Sequence, residues 1–235
     1  MGKLYLLPTP LSEDAVFESI PSYNKEIIEP LRYFVVEEIR SARRFLRKLC
    51  PHFPIDDCTF FILNEHSISS VNWEELLHPL LNGNDMGLLS EAGLPCIADP
   101  GSELVRIAHQ KNIQIVPLVG PSSITMALMA SGLYGQQFAF HGYLPTDKTA
   151  LTDKIRKLEN ISIQLAQTQL FIEAPYRNNQ LFDVLLKTCN SDTQLCIACN
   201  ISGKDEYIKT QTIAQWKRAA TPSLHKKPTV FVILG

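Results

Sequence analysis

The stretch Gly87-Leu88-Leu89-Ser90-Glu91-Ala92-Gly93-Leu94-Pro95-Cys96-Ile97-Ala98-Asp99-Pro100-Gly101 decides the fold. Its first four residues read as a short apolar strand. A long loop of small residues follows, and a helical pattern begins after it. A strand, a loop and a helix in this order form the repeating step of an α/β sheet, and such sheets bind ligands beyond the carboxyl ends of their strands. Gly93 to Ile97 are therefore expected to present backbone to a ligand. Asp99 is expected to cap the next helix, with Pro100 at its first position.

The same alternation extends in both directions. Apolar runs rich in branched and aromatic residues predict strands at Leu4–Leu7, Tyr33–Val36, Thr59–Leu63, Gly87–Ser90, Ile113–Leu118, Phe138–Tyr143, Gln169–Glu173, Gln194–Cys199 and Thr229–Leu234. Helical periodicity predicts Ile39–Leu49, Trp73–Leu81, Ser102–Lys111, Ser122–Ser131, Thr149–Leu158, Asn178–Lys187 and Ile213–Arg218. Nine strands are many for one short sheet and divide naturally into five and four. The expectation is two α/β domains with mainly parallel sheets, residues 1–119 and 120–235, meeting near Gly120, where the fifth strand ends.

Composition excludes several classes. The 235 residues carry 22 Lys+Arg against 24 Asp+Glu, and 45% are hydrophobic, which is the make-up of a folded globular chain. A net charge of -2 means that any polyanion must meet a local patch. The apolar run before Pro8 is too short for a signal peptide, and no run is long enough to span a membrane, so a cytoplasmic location is expected. Six cysteines lie scattered in apolar stretches, with one Cys196-Ile197-Ala198-Cys199 pair whose members face opposite sides of a strand. Buried reduced thiols fit this pattern, and a metal site does not. The 11 glycines never form G-x-G, so neither the dinucleotide fingerprint nor a Walker loop is present. His66, His109 and His141 stand singly, as partners within the fold rather than catalytic bases.

Three further segments carry chemistry. Gly120-Pro121-Ser122-Ser123 offers free amides and hydroxyls at a helix start, suited equally to an anion or to capping alone. Phe171-Ile172-Glu173-Ala174-Pro175-Tyr176-Arg177 places an acid, an aromatic and a guanidinium at a strand end. There Glu173 either points into a crevice or forms a surface ion pair with Arg177. Arg40, Arg43, Arg44 and Arg47 share one helical face, where Glu37 and Glu38 are the few acids nearby, and phosphate contact is the expected role.

Together these segments resemble the tetrapyrrole methylase superfamily of S-adenosylmethionine-dependent methyltransferases. Leu88–Gly101 is similar to its S-D-A-G-x-P-x-I-S-D-P-G block, Val116–Ser123 to V-P-[IL]-P-G-P-[SC]-A, and Glu173–Arg177 to E-A-P-H-R. Val36–Arg40 is similar to A-E-D-T-R, and Pro8–Leu11 to A-T-P-I. The resemblance spans nearly the whole chain and implies a homodimer without metal, with the donor in a cleft between two α/β domains. It implies donor contacts at Leu11, Gly93, Leu94, Ile97, Ser122, Ser123, Ile172, Pro228 and Thr229.

The subgroup most like this chain methylates a ribose 2′-hydroxyl of a cytidine in 16S rRNA. That implies the small ribosomal subunit as partner and RNA contacts at Arg40, Arg43, Arg44, Arg47 and Arg177. For a hydroxyl acceptor, Glu37, Glu173 and Tyr176 are the candidate bases. The chain departs from the family pattern at Ser12-Glu13-Asp14, Glu91, Tyr176 and Ile197–Ser202, and longer members carry an additional C-terminal region. Two rival readings are a methyltransferase of a tetrapyrrole or other small molecule and a donor-binding module without catalysis.

Overall fold

The structure is a computed structural model that describes residues 1–12, 15–64 and 70–235. Glu13, Asp14 and His66 lie outside the described residues. Contacts divide the chain into two compact units, Met1–Ser122 and Ser123–Gly235.

The first unit is built on β1 (Lys3–Leu7), β2 (Tyr33–Val36), β3 (Thr59–Ile62), β4 (Met86–Leu89) and β5 (Gln114–Pro117). They form one sheet in the order β3-β2-β4-β1-β5, and every pairing is parallel. Parallel strands need crossovers, which place helices on both faces. On one face, α2 (Ser22–Ile28) and α3 (Ile39–Leu49) cover Tyr5, Leu7, Phe34 and Val36. On the other, α4 (Trp73–Leu81) and α5 (Ser102–Gln110) cover Leu4, Val35, Met86 and Leu88. Successive strand residues thus enter opposite cores, and β4, between two neighbours, is buried along its whole length. Gly87 fits this crowded centre: a Cβ there would lie 2.4 Å from Leu7 Cδ1.

The helices start and stop for local reasons. In α3, Ala42, Phe45, Leu46 and Leu49 form the buried stripe, and Glu38 caps the first turn by accepting from Ser41 N at 3.0 Å. Amides of Arg40 and Ser41 hold the Glu38 carboxyl below the ordinary range. Asn72 caps α4 through Glu75 N. A short α1 (Val16–Ser19) precedes α2.

The second unit begins with α6 (Ser123–Ser131) and continues through β6 (Phe138–Tyr143), α7 (Lys148–Leu165), β7 (Thr168–Ile172) and α8 (Asn178–Thr188). It closes with β8 (Gln194–Cys199), β9 (Tyr207–Thr212), α9 (Ile213–Trp216) and β10 (Thr229–Leu234). Its sheet order is β6-β7-β10-β8-β9. The α/β class holds for both units, but the parallel expectation holds for one sheet. In the second, β6–β7 is parallel while β7–β10, β10–β8 and β8–β9 are antiparallel. The fifth strand, β9, was not among the nine expected. It forms a hairpin with β8, and β10 then enters between β8 and β7. Helices α7 and α8 bury Phe171, Ile197, Phe231 and Ile233 in one core, and α6 packs on the opposite face, against β8, β9 and β10.

All six cysteines are free, and Cys50, Cys189, Cys196 and Cys199 are buried. Burial, with Glu159 beside it, pushes the Cys189 thiol up to about 12. His141 Nε2 lies 2.7 Å from Gln169 Oε1, a partner within the fold, whereas His109 is exposed in the last turn of α5. No helix among the described residues is long and apolar enough to cross a membrane.

Candidate active site

In the first unit the loops after β1, β4 and β5 are laced together. Thr9 N donates to Gly93 O at 2.9 Å and Gly93 N to Thr9 O at 3.0 Å, a two-bond bridge between the first two loops. The Ser90 hydroxyl donates to Gly93 O at 2.7 Å and lies 3.2 Å from the buried Thr9 hydroxyl. Gly93 has φ +84°, the left-handed region, and a Cβ there would press on Leu11 Cδ2 at 3.2 Å and Pro121 O at 3.3 Å. Gly120 admits the third loop, since a Cβ would stand 2.2 Å from Pro8 Cβ. Leu11, Gly93 and Ser122 therefore belong to one loop cluster at the carboxyl ends of β4, β1 and β5. Leu94 is half-buried and Ile97 is exposed along the continuing loop.

That loop corrects the expectation for Asp99. Helix α5 begins at Ser102, and its N-cap is Gly101 at φ 123°, a conformation that glycine adopts and aspartate does not. A Cβ at Gly101 would also meet Leu88 Cδ2 at 2.8 Å. Asp99 Oδ2 is instead buried without a hydrogen-bond partner. Burial first, and the charge of Glu91 second, push its carboxyl up to about 6. Cys96 and Ala98 both have positive φ, at 67° and 61°, so strained backbone flanks this carboxyl.

A cavity of about 130 Å³ lies between these loops and α3. Thr9, Pro10, Ser90 and Glu91 line one side, and Ser41, Ala42, Arg44, Phe45 and Lys48 the other. The Ser41 hydroxyl donates to Glu91 Oε1 at 2.7 Å. The arginine stripe divides here. Arg44 lines the cavity, Arg43 pairs with Asp56 at 2.6 Å, and Arg40 and Arg47 are exposed. Asp56 adds an acid to those expected nearby, brought in by the turn at Ile55–Asp57. Glu37 is half-buried just beyond β2.

In the second unit Glu173 follows β7 and its side chain is 3% exposed. Oε1 accepts from Ala174 N at 2.8 Å, and Oε2 lies 3.3 Å from Arg177 Nη2. The ion pair therefore exists but is buried rather than on the surface, with Arg177 also reaching Thr146 O at 3.4 Å. Tyr176, in the turn between them, is 68% exposed. Ile172 is half-buried, Pro228 exposed and Thr229 buried. The segment 224–229 is tied to the start of α8: Asn178 Nδ2 donates to Lys227 O at 2.7 Å and to Thr229 Oγ1 at 3.2 Å. Ser123 opens α6. The implied donor residues thus divide between the units, five in the first and four in the second.

Lys48, Thr9, Ser90 and Asp99 join these surroundings without having been expected there. Lys48 was legible in principle, because Ser41, Arg44, Phe45 and Lys48 fall at i, i+3, i+4 and i+7 of one helix. Among the described residues, no group of three or more His, Cys, Asp or Glu is arranged to hold a metal ion.

The family model described as Tetrapyrrole (Corrin/Porphyrin) Methylases matches residues 33–217. The chain belongs to this family. It is a methyltransferase. Ribosomal RNA small subunit methyltransferase I of Vibrio cholerae is 30% identical over 212 residues, covering 90% of this chain and 69% of the relative. The protein of that name from Bacillus subtilis is 30% identical over 217 residues, covering 92% and 69%. A crystal structure of the methyltransferase CobJ matches the fold with a TM-score of 0.65 at 14% identity, over 100% of this chain and 95% of that one.

Proposed function

We propose that this methyltransferase takes a methyl group from S-adenosyl-L-methionine and places it on a cytidine ribose 2′-hydroxyl of small-subunit rRNA. The observation that carries the reading is the loop cluster of Thr9, Gly93 and Gly120, which packs backbone at the carboxyl ends of three adjacent parallel strands. Its fit to the donor is chemical. Left-handed Gly93 gives backbone access, Leu94 and Ile97 offer apolar surface to a nucleobase, and the Ser122 hydroxyl suits a polar group. In this reading Leu11, Gly93, Leu94, Ile97 and Ser122 of the first unit contribute to donor binding, and so do Ser123, Ile172, Pro228 and Thr229 of the second. The RNA assignment is supported by the names of the relatives and by the cationic face of α3.

When bound, the donor supplies an activated sulfonium methyl. The protein's work is approach geometry and exclusion of water. The new bond joins the methyl carbon to the 2′-oxygen as the carbon–sulfur bond breaks, and the hydroxyl proton leaves to a base or to water. Of the candidate bases, Glu173 is held by Ala174 N and Arg177 and serves as a positioning residue, while Glu37 and exposed Tyr176 remain the groups to take the proton. The enzyme then works in the cytoplasm, without metal, as a homodimer. Val119 and Met129, exposed by 75% and 78%, are apolar side chains that a second copy would cover.

Calorimetry with S-adenosylmethionine, followed by labelled-methyl transfer to 30S subunits lacking their native 2′-O-methyl marks, tests the reading. Donor binding with label on one cytidine supports it. Donor binding with label on a tetrapyrrole and none on RNA replaces it with the small-molecule alternative. Donor binding without any transfer leaves a non-catalytic module.

A further inference from the structure

We infer that the cavity beside α3 is the pocket for the target nucleotide, where Arg44 and Lys48 hold a phosphate and Glu91 recognises the base. The inference rests on the RNA reading above and adds the residues that select the acceptor. The cavity has two chemical ends. Ser41 and Glu91 make one, and Lys48 lies seven residues further along α3, about 10 Å away at the helical rise of 1.5 Å per residue. That separation is comparable to the distance from the amino edge of a pyrimidine to its own phosphate. Arg44 and Phe45 lie between the two ends on the same face, giving a cation and an apolar wall.

The cavity, about 130 Å³, admits a ring-sized group such as a pyrimidine with phosphate left at the mouth. Glu91 supplies the discrimination. Ser41 donates to Oε1, leaving Oε2 for the base. A carboxylate accepts from the 4-amino group of cytosine and opposes the carbonyl that uracil carries there. Within the stripe, Arg43 pairs with Asp56, and on the same helix Arg44 and Lys48 line the pocket.

The test uses the whole chain and 30S subunits lacking native 2′-O-methyl marks. Arg44→Ala/Lys48→Ala is expected to raise KM for subunits at least about tenfold and to flatten the salt dependence of KM, since phosphate contacts carry that dependence. Its kcat should stay within about twofold and its donor affinity by calorimetry should not change. Arg156→Ala, which removes an exposed cation paired with Asp153 on α7, should match wild type. Glu91→Ala should lose about tenfold of the preference for target cytidine over uridine. A double variant with wild-type KM and salt slope, made from an enzyme that methylates RNA, overturns the phosphate assignment. Unchanged cytidine preference in Glu91→Ala overturns the base assignment. A wild type that binds donor and labels no RNA fails at the earlier reading, before the pocket is reached.

Discussion

The two units hold the loops at their strand ends by different physics. In the first, backbone meets backbone, and glycines at 93 and 120 permit approaches that no other residue would fit. In the second, side chains do the tying. Asn178 gathers Leu224, Lys227 and Thr229, Lys227 Nζ lies 2.5 Å from Asp205 Oδ2, and Asn200 donates to Asp205. The difference teaches where each unit is vulnerable: the first to added volume, the second to lost hydrogen bonds.

Breaking the first unit should have the largest effect. Gly120→Ala puts a Cβ against the Pro8 ring, which has no rotamer to yield, and should cost about 3 kcal/mol in urea unfolding as well as donor affinity. Wild-type stability in the Gly120→Ala variant would show that the lacing is slack. Next is the tie in the second unit. Asn178→Ala removes three hydrogen bonds, to Leu224 O, Lys227 O and Thr229 Oγ1, and should cost about 2 kcal/mol, measured the same way.

Asp99 sharpens the comparison by its sign. Its carboxyl sits at about 6 when folded against an ordinary 3.8. Between those values the unfolded chain has released its proton and the folded chain retains it, so stability falls as pH rises through that window. Above about pH 6 the penalty is complete, and below 3.8 it is absent. Asp99→Asn should therefore stabilise the protein by about 1 kcal/mol at pH 8, allowing for solvent screening of its exposed part. The gain should vanish near pH 4, and an equal gain at both pH values would exclude this origin. The smallest effect belongs to the partly exposed Lys227–Asp205 pair, where Asp205→Asn should leave the urea midpoint unmoved in high salt.

The parallel unit was the more legible of the two. Its five strands were expected within one residue at each end, because each carries a short apolar run bounded by turn signals. The mixed sheet hid more. Tyr207-Ile208-Lys209-Thr210-Gln211-Thr212 lies at an edge and has one strongly apolar aliphatic residue, so β9 left little apolar signal. With that strand missing, the hairpin and the antiparallel pairings after it could not be inferred. Helix α7 runs to Leu165 rather than Leu158 because polar residues on its buried face find distant partners. Glu159 accepts from Asn190 N at 2.7 Å, and Ser162 Oγ accepts from Gly235 N at 3.0 Å.

At the site, motifs identified the loops but not the contacts within them. The Asp99 expectation failed because the helix start was set by a glycine conformation rather than by a capping side chain. The arginine stripe was visible as a face, whereas its division between Asp56 and the cavity depends on the turn at Ile55–Asp57 and on loops far away in sequence.

The most direct test is labelled-methyl transfer from S-adenosylmethionine to 30S subunits that lack native 2′-O-methyl marks, with the modified nucleotide identified by mass spectrometry. One label per subunit on a cytidine 2′-oxygen is the expected result. Saturable donor binding with no label in RNA would contradict it.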